Sequence, residues 1–138
     1  NFQSEQIGGN LMEPILKHGG KSMLFVEYPK CSTCQKAKKW LDEHGIAYED
    51  RHIVENNPTY EELKDWYGRS GLPLKKFFNT SGMLYKEMKL KDKLPTMSED
   101  EQLQLLATNG MLVKRPVIVD GDTVFTGFKA AEWEEKLL

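Results

Sequence analysis

The chain is poor in cysteine: Cys31 and Cys34 are its only 2 among 138 residues. His18, His44 and His52 show no H-x(3–5)-H spacing. Nothing therefore supplies the four ligands of a closed zinc site, and no bound metal is expected. An excess of basic charge is also missing. The 19 Lys and Arg stand against 21 Asp and Glu, for a net charge of −2 and a pI near 6.0. That balance argues against direct nucleic-acid binding. No apolar run approaches the roughly 20 residues of a membrane span, and no signal-peptide pattern is visible. The 11 glycines are scattered as turn formers rather than gathered into a phosphate-binding loop, so no nucleotide or flavin is expected. Two close cysteines in a chain that otherwise avoids them suggest a reducing, cytoplasmic setting.

What is present is concentrated in Pro29-Lys30-Cys31-Ser32-Thr33-Cys34, directly after the apolar run Leu24-Phe25-Val26. A strand emptying into Cys-x-x-Cys and then a helical pattern is the arrangement of a redox-active thiol. Two intervening residues put both sulfurs on one helical turn. Cys31 falls where the helix begins, and there the open N–H groups and the positive end of the helix dipole favour a thiolate. The thiolate is the attacking species, so Cys31 reads as the nucleophile and Cys34 as its resolving partner. Two buried structural cysteines are the competing reading. The polar, proline-containing flank of the pair sets it at a loop mouth instead.

Residues 1–22 read as tag or linker, with Asn1-Phe2-Gln3-Ser4 like the remnant of a protease site, and one domain spans 23–138. Leu24–Glu27 predicts a buried strand. Ser32–His44 carries Ala37, Trp40 and Leu41 at helical spacing, closed by Gly45. Lys36 on this helix is near enough to the first turn to support the thiolate. Ile46–Val54 alternates as a strand, and Thr59 caps a second helix with Glu61 and Glu62 in its first turn. Lys75–Phe78 and Tyr85–Leu90 suggest short helices, and Ser98-Glu99-Asp100-Glu101 starts another. Val117–Val119 and Thr123–Thr126 form a hairpin over Asp120-Gly121-Asp122, before a closing helix at Lys129–Leu138. Trp40, Trp66, Tyr67 and Trp133 lie at helical spacing and read as packing residues. The order β-α-β, helical insertion, β-β-α predicts an α/β domain with a thioredoxin-like four-stranded mixed sheet.

Further landmarks are Trp40-Leu41, His44-Gly45-Ile46, Asn57-Pro58, Leu112 to Val119 and Val124-Phe125-Thr126-Gly127-Phe128. With Tyr28 to Ala37 they make residues 23–138 resemble the arsenate reductase (ArsC)/Spx family of thioredoxin-fold proteins. The resemblance implies that Cys31 is the catalytic cysteine and that Arg115 holds a substrate anion. It also places a cis proline at Pro116, a geometry that costs a non-proline residue about 3 kcal/mol. Arg115 would then bring a permanent charge to Cys31, lowering its pKa and clamping an oxyanion or a thiol's carboxylate. Backbone N–H groups around Lys30, Ser32 and Thr33 would complete an anion nest.

Glutaredoxin-coupled arsenate reductases of this family carry two more arginines, near Phe78–Ser81 and near Glu101-Gln102. This chain has none there, which implies weaker arsenate binding. The family reading is a thiol–disulfide oxidoreductase acting on a small oxyanion or disulfide substrate. Glutathione, a glutaredoxin or a thioredoxin would be its external reductant. The alternative is a Spx-like redox switch that binds an RNA polymerase subunit. In Spx that contact uses a glycine in the insertion, and the neighbourhood here reads Gly71-Leu72-Pro73-Leu74.

Overall fold

The structure, a computed structural model, describes residues 23–138. The reading of residues 1–22 as tag or linker lies outside the described residues. Strand β1 (Met23–Glu27) is the centre of the fold. It pairs in parallel with β2 (Tyr48–His52) and antiparallel with β3 (Val117–Asp120), which pairs antiparallel with β4 (Thr123–Thr126). The sheet order is β2-β1-β3-β4. This is the thioredoxin-like mixed sheet that the β-α-β and β-β-α pattern predicts.

Alternation along the strands sends side chains to two separate cores. Met23, Phe25, Ile118 and Phe125 meet Ala37, Trp40 and Leu41 of helix α1 (Ser32–Glu43) and Trp133 and Leu137 of α6 (Ala130–Leu137). On the other face Val26, Val117 and Val124 meet Leu63 and Trp66 of α2 (Tyr60–Ser70). Leu103 and Leu106 of α5 (Glu99–Leu106) and the apolar residues of the insertion join them. The three tryptophans are buried packing residues, as their spacing predicts.

Local chemistry sets the helix ends. Glu62 N–H donates to Thr59 Oγ1 at 3.1 Å while Thr59 N–H donates to Glu62 Oε1 at 3.0 Å, a reciprocal capping box. Ser98 and Glu101 repeat it at the start of α5. Helix α1 stops at Glu43, one residue short of the predicted end, and Gly45 adopts φ 66° as the chain turns away. The second strand is shorter than its predicted span of Ile46–Val54.

The insertion departs most from expectation. Lys75–Phe78 is a 3-10 turn over Leu74–Phe77. The single helix expected over Tyr85–Leu90 is two, α3 (Met83–Glu87) and α4 (Leu90–Lys93), broken at Lys89 with φ 55°. On one continuous helix Tyr85 and Leu90 would point about 140° apart. The break lets both reach the core, at 6% and 1% exposed. Backbone bonds from Asn79 N–H to Leu112 O and from Lys114 N–H to Phe77 O, each 2.8 Å, tie the insertion to the segment entering β3.

Candidate active site

The first loop of the candidate site runs from the end of β1 into α1. Cys31 N–H donates to Tyr28 O at 2.9 Å, and Gln35 Nε2 donates to Pro29 O at 2.9 Å, so residues 28–31 turn tightly over the helix start. Cys31 is the N-cap of α1, with φ −85° and ψ 124°, and its carbonyl accepts the first intrahelical bond from Gln35 N–H at 3.0 Å. Its thiol is half-buried, whereas Cys34, one turn inside, is fully buried; both are free thiols. The two cysteines therefore present one accessible sulfur and one sheltered sulfur.

Their acidities diverge for identifiable reasons. Burial pushes the Cys31 thiol up, but the Cys34 N–H and thiol together with the Arg115 guanidinium outweigh it and hold the pKa below its ordinary value. The sulfur makes no capping hydrogen bond of normal geometry, so proximity to these donors and to the charge carries the effect. Cys34 moves the opposite way. Burial, joined by the neighbouring Cys31 charge and hydrogen bond, pushes it up to about 12. Of the two thiols Cys31 is the readier to ionise, and Cys34 keeps its proton at neutral pH.

Arg115 comes from the far end of the chain. Its segment is held by the Lys114–Phe77 bond and by the Phe78–Val113 bridge, and Gly127 N–H donates to Pro116 O at 2.8 Å. The Arg115–Pro116 peptide is cis, and Pro116 is buried. The guanidinium carbon stands 5.3 Å from the centroid of the Tyr28 ring. Arg115 Nε and Nη1 are buried and make no hydrogen bond. A cation with two unsatisfied donors near the Cys31 sulfur is suited to an anion.

Lys30, Ser32 and Thr33 are exposed around the mouth, Ser32 and Thr33 in the first turn of α1, where N–H groups have no intrahelical acceptor. Lys36 is exposed as well, and the side-chain cation that acts on Cys31 is Arg115. Among the described residues no group of three or more His, Cys, Asp and Glu is placed to hold a metal.

Sequence reasoning missed two features. Tyr28, read there only as part of a motif, touches Arg115. Glu27, at the end of β1, is only 3% exposed. Lys38 Nζ lies 3.8 Å from Glu27 Oε2 and 2.8 Å from Asp50 Oδ2. Burial, then Asp50, raises the Glu27 pKa from 4.5 to about 7. Burial also acts against the Asp50 charge, but Glu27 and Lys38 outweigh it and hold Asp50 below its usual range. The available signal was a carboxylate ending an otherwise apolar strand.

Comparison with known proteins identifies relatives of the chain. Residues 26–136 match the model of the ArsC family. The chain is 60% identical over 114 residues to the Bacillus subtilis protein YusI, covering 83% of this chain and 97% of YusI. It is 29% identical over 105 residues to the global transcriptional regulator Spx of Staphylococcus aureus, covering 75% of this chain and 78% of Spx. Among solved structures it resembles an ArsC family related protein from Bacteroides fragilis, at 62% identity and a TM-score of 0.81, covering 85% and 98% of the two chains. A Streptococcus mutans protein described as a possible arsenate reductase matches at 44% identity and a TM-score of 0.76, covering 83% and 98%.

Proposed function

The chain belongs to the ArsC family, and on that premise we propose that it is a thiol–disulfide oxidoreductase with Cys31 as nucleophile. The observation that carries this reading is the placement of the two thiols: Cys31 is half-buried at the head of α1 near Arg115, which lowers its pKa, whereas Cys34 is fully buried, which pushes its pKa up to about 12. In the first step the Cys31 thiolate attacks one sulfur of a substrate disulfide. A Cys31–substrate bond forms and the other substrate sulfur leaves as a thiolate. Cys31 then carries no charge, so its contribution to raising Cys34 disappears. Cys34 gives its proton to the substrate thiolate released in the first step, attacks the Cys31 sulfur and releases the second substrate thiolate. The protein ends as a Cys31–Cys34 disulfide, having given two electrons, and glutathione or a glutaredoxin or thioredoxin returns them.

Arg115, with Nε and Nη1 unpaired, stabilises the thiolate and clamps an anionic substrate group, aided by N–H groups of the Lys30–Thr33 turn and shaped by Pro116. A single arginine favours a disulfide bearing a carboxylate over arsenate, because the neighbourhoods of Phe78–Ser81 and Glu101-Gln102 supply no further guanidinium. The reading suits a cytoplasmic setting that keeps the thiols reduced.

A redox titration against glutathione, read by mass spectrometry, tests the proposal. Reversible formation of a Cys31–Cys34 disulfide is expected. Uptake of one glutathione at Cys31 with no internal bridge would assign Cys34 a structural role and return the lead to a glutaredoxin-coupled mechanism. Similarity to Spx favours one other reading, a redox switch for an RNA polymerase subunit. Polymerase capture that depends on the Cys31–Cys34 oxidation state, without turnover, would replace the enzyme reading.

A further inference from the structure

We propose that Tyr28 is a positioning residue that holds Arg115 by its ring and so keeps the guanidinium charge free for Cys31. This inference rests on the reading of Cys31 as the acidified nucleophile. Arginines in folded proteins are usually held by carboxylates, as Arg51 is here by Glu62 at 2.7 and 2.8 Å. A carboxylate at Arg115 would anchor it and also neutralise it. Its two buried nitrogens instead make no hydrogen bond, and the contact across its face is the Tyr28 ring at 5.3 Å. An aromatic face attracts a cation through its quadrupole without consuming N–H donors or cancelling the charge.

The ring is itself braced. It meets His52 edge to face, with centroids 5.8 Å apart and planes at 87°. His52 is fixed in turn, because its Nδ1 accepts the N–H groups of Val54 and Glu55, each at 3.1 Å. The stack His52–Tyr28–Arg115 thus runs from the end of β2 to the start of β3 across the loop that carries Cys31. Tyr28 also serves both cysteines through its backbone. Its carbonyl accepts the Cys31 N–H, and its main chain favours the ionised form of Cys34. Side-chain substitution leaves those backbone groups in place, so the ring can be tested alone.

The test is the pH profile of Cys31 alkylation by iodoacetamide, quantified at Cys31 by mass spectrometry on the full chain. Tyr28→Leu should move the midpoint up by about half to one pH unit, slowing alkylation below the midpoint about three- to tenfold, the range a cation–π contact supports. Tyr28→Phe keeps the ring face and should retain the wild-type midpoint. Pentafluorophenylalanine at position 28 keeps the ring shape but inverts its quadrupole, and should behave like leucine. In an Arg115→Ala background Tyr28→Leu should produce no further shift.

A pentafluorophenylalanine variant that titrates like Tyr28→Phe would overturn the inference, as would a Tyr28→Leu shift that persists without Arg115. If Tyr28→Leu fails to fold, the phenylalanine and pentafluorophenylalanine pair decides alone. A wild-type Cys31 midpoint no lower than an ordinary cysteine would instead remove the nucleophile reading beneath it. An acidified wild type with unmoved variants removes only the role of Tyr28.

Discussion

Replacing Glu27 by glutamine should make the protein more stable at pH 8 than the wild type, and most of the gain should be gone at pH 5. Glu27 is 3% exposed, and its pKa is raised from 4.5 to about 7 by burial first and by Asp50 second. Between those two values the folded protein holds a proton that the unfolded chain has released. Stability from this group is therefore complete below pH 4.5 and declines as pH rises to about 7. At 1.36 kcal/mol per pKa unit the decline amounts to about 3 kcal/mol, with the Lys38 charge already offsetting part of the buried carboxylate. Asp50, whose pKa is lowered, loses its contribution only below its own unfolded value, near 3.8. The window from pH 5 to 8 thus lies above the loss of the Asp50 contribution. The substituted amide keeps an N–H donor for the Asp50 carboxylate and carries no charge to desolvate. Urea denaturation followed by fluorescence of the buried tryptophans should show the midpoint difference between variant and wild type widening by about 2 M from pH 5 to pH 8. A difference that stays constant across that range would refute the buried, neutral carboxyl.

Three further substitutions probe separate parts of the molecule. Glu62 is held at a pKa of about 2, chiefly by Arg51, and its side chain is 35% exposed. With solvent screening allowed for, Glu62→Gln should cost about 1–2 kcal/mol at pH 7. That cost should shrink as pH falls from 4.5 toward 2, so an acid series of denaturation curves with constant spacing would contradict the ion pair. At Gly110 a Cβ would collide with Ile53 O and stand 3.0 Å from Asn57 Oδ1. Gly110→Ala should therefore lower stability by about 2–3 kcal/mol, visible as a drop in Tm; an unchanged Tm would show that the loop after β2 yields easily. Cys34→Ser should accumulate a Cys31–glutathione mixed disulfide that mass spectrometry resolves, and rapid turnover of that adduct without added thiol would rule out Cys34 as resolving group.

Much of the architecture was readable because its signals act within a turn or two. Thr59 and Ser98, each followed three residues later by glutamate, announce helix starts because a capping box closes inside one turn. Cys31 at the helix start with Cys34 one turn later was legible from the same short-range geometry, and it includes the asymmetry between the two thiols. The insertion was read less well. Its 3-10 turn and the break at Lys89 answer to which side chains reach a core assembled from distant strands, and no local period encodes that.

Local pattern was enough to define the order of elements, the alternation that gives the sheet two buried faces, and the placement of the cysteine pair at the head of α1. The role proposed for Arg115 entered through family resemblance, since a lone arginine before a proline carries no spacing to interpret. Three contacts came into view only with the folded chain: Arg115 over Tyr28, Glu27 beside Lys38 and Asp50, and Gly110 against Ile53. Each joins residues from different elements, and the pairing of β1 with both β2 and β3 sets their approach. Charge, ring face and desolvation act through distance, and distance between remote residues exists only once the sheet has formed.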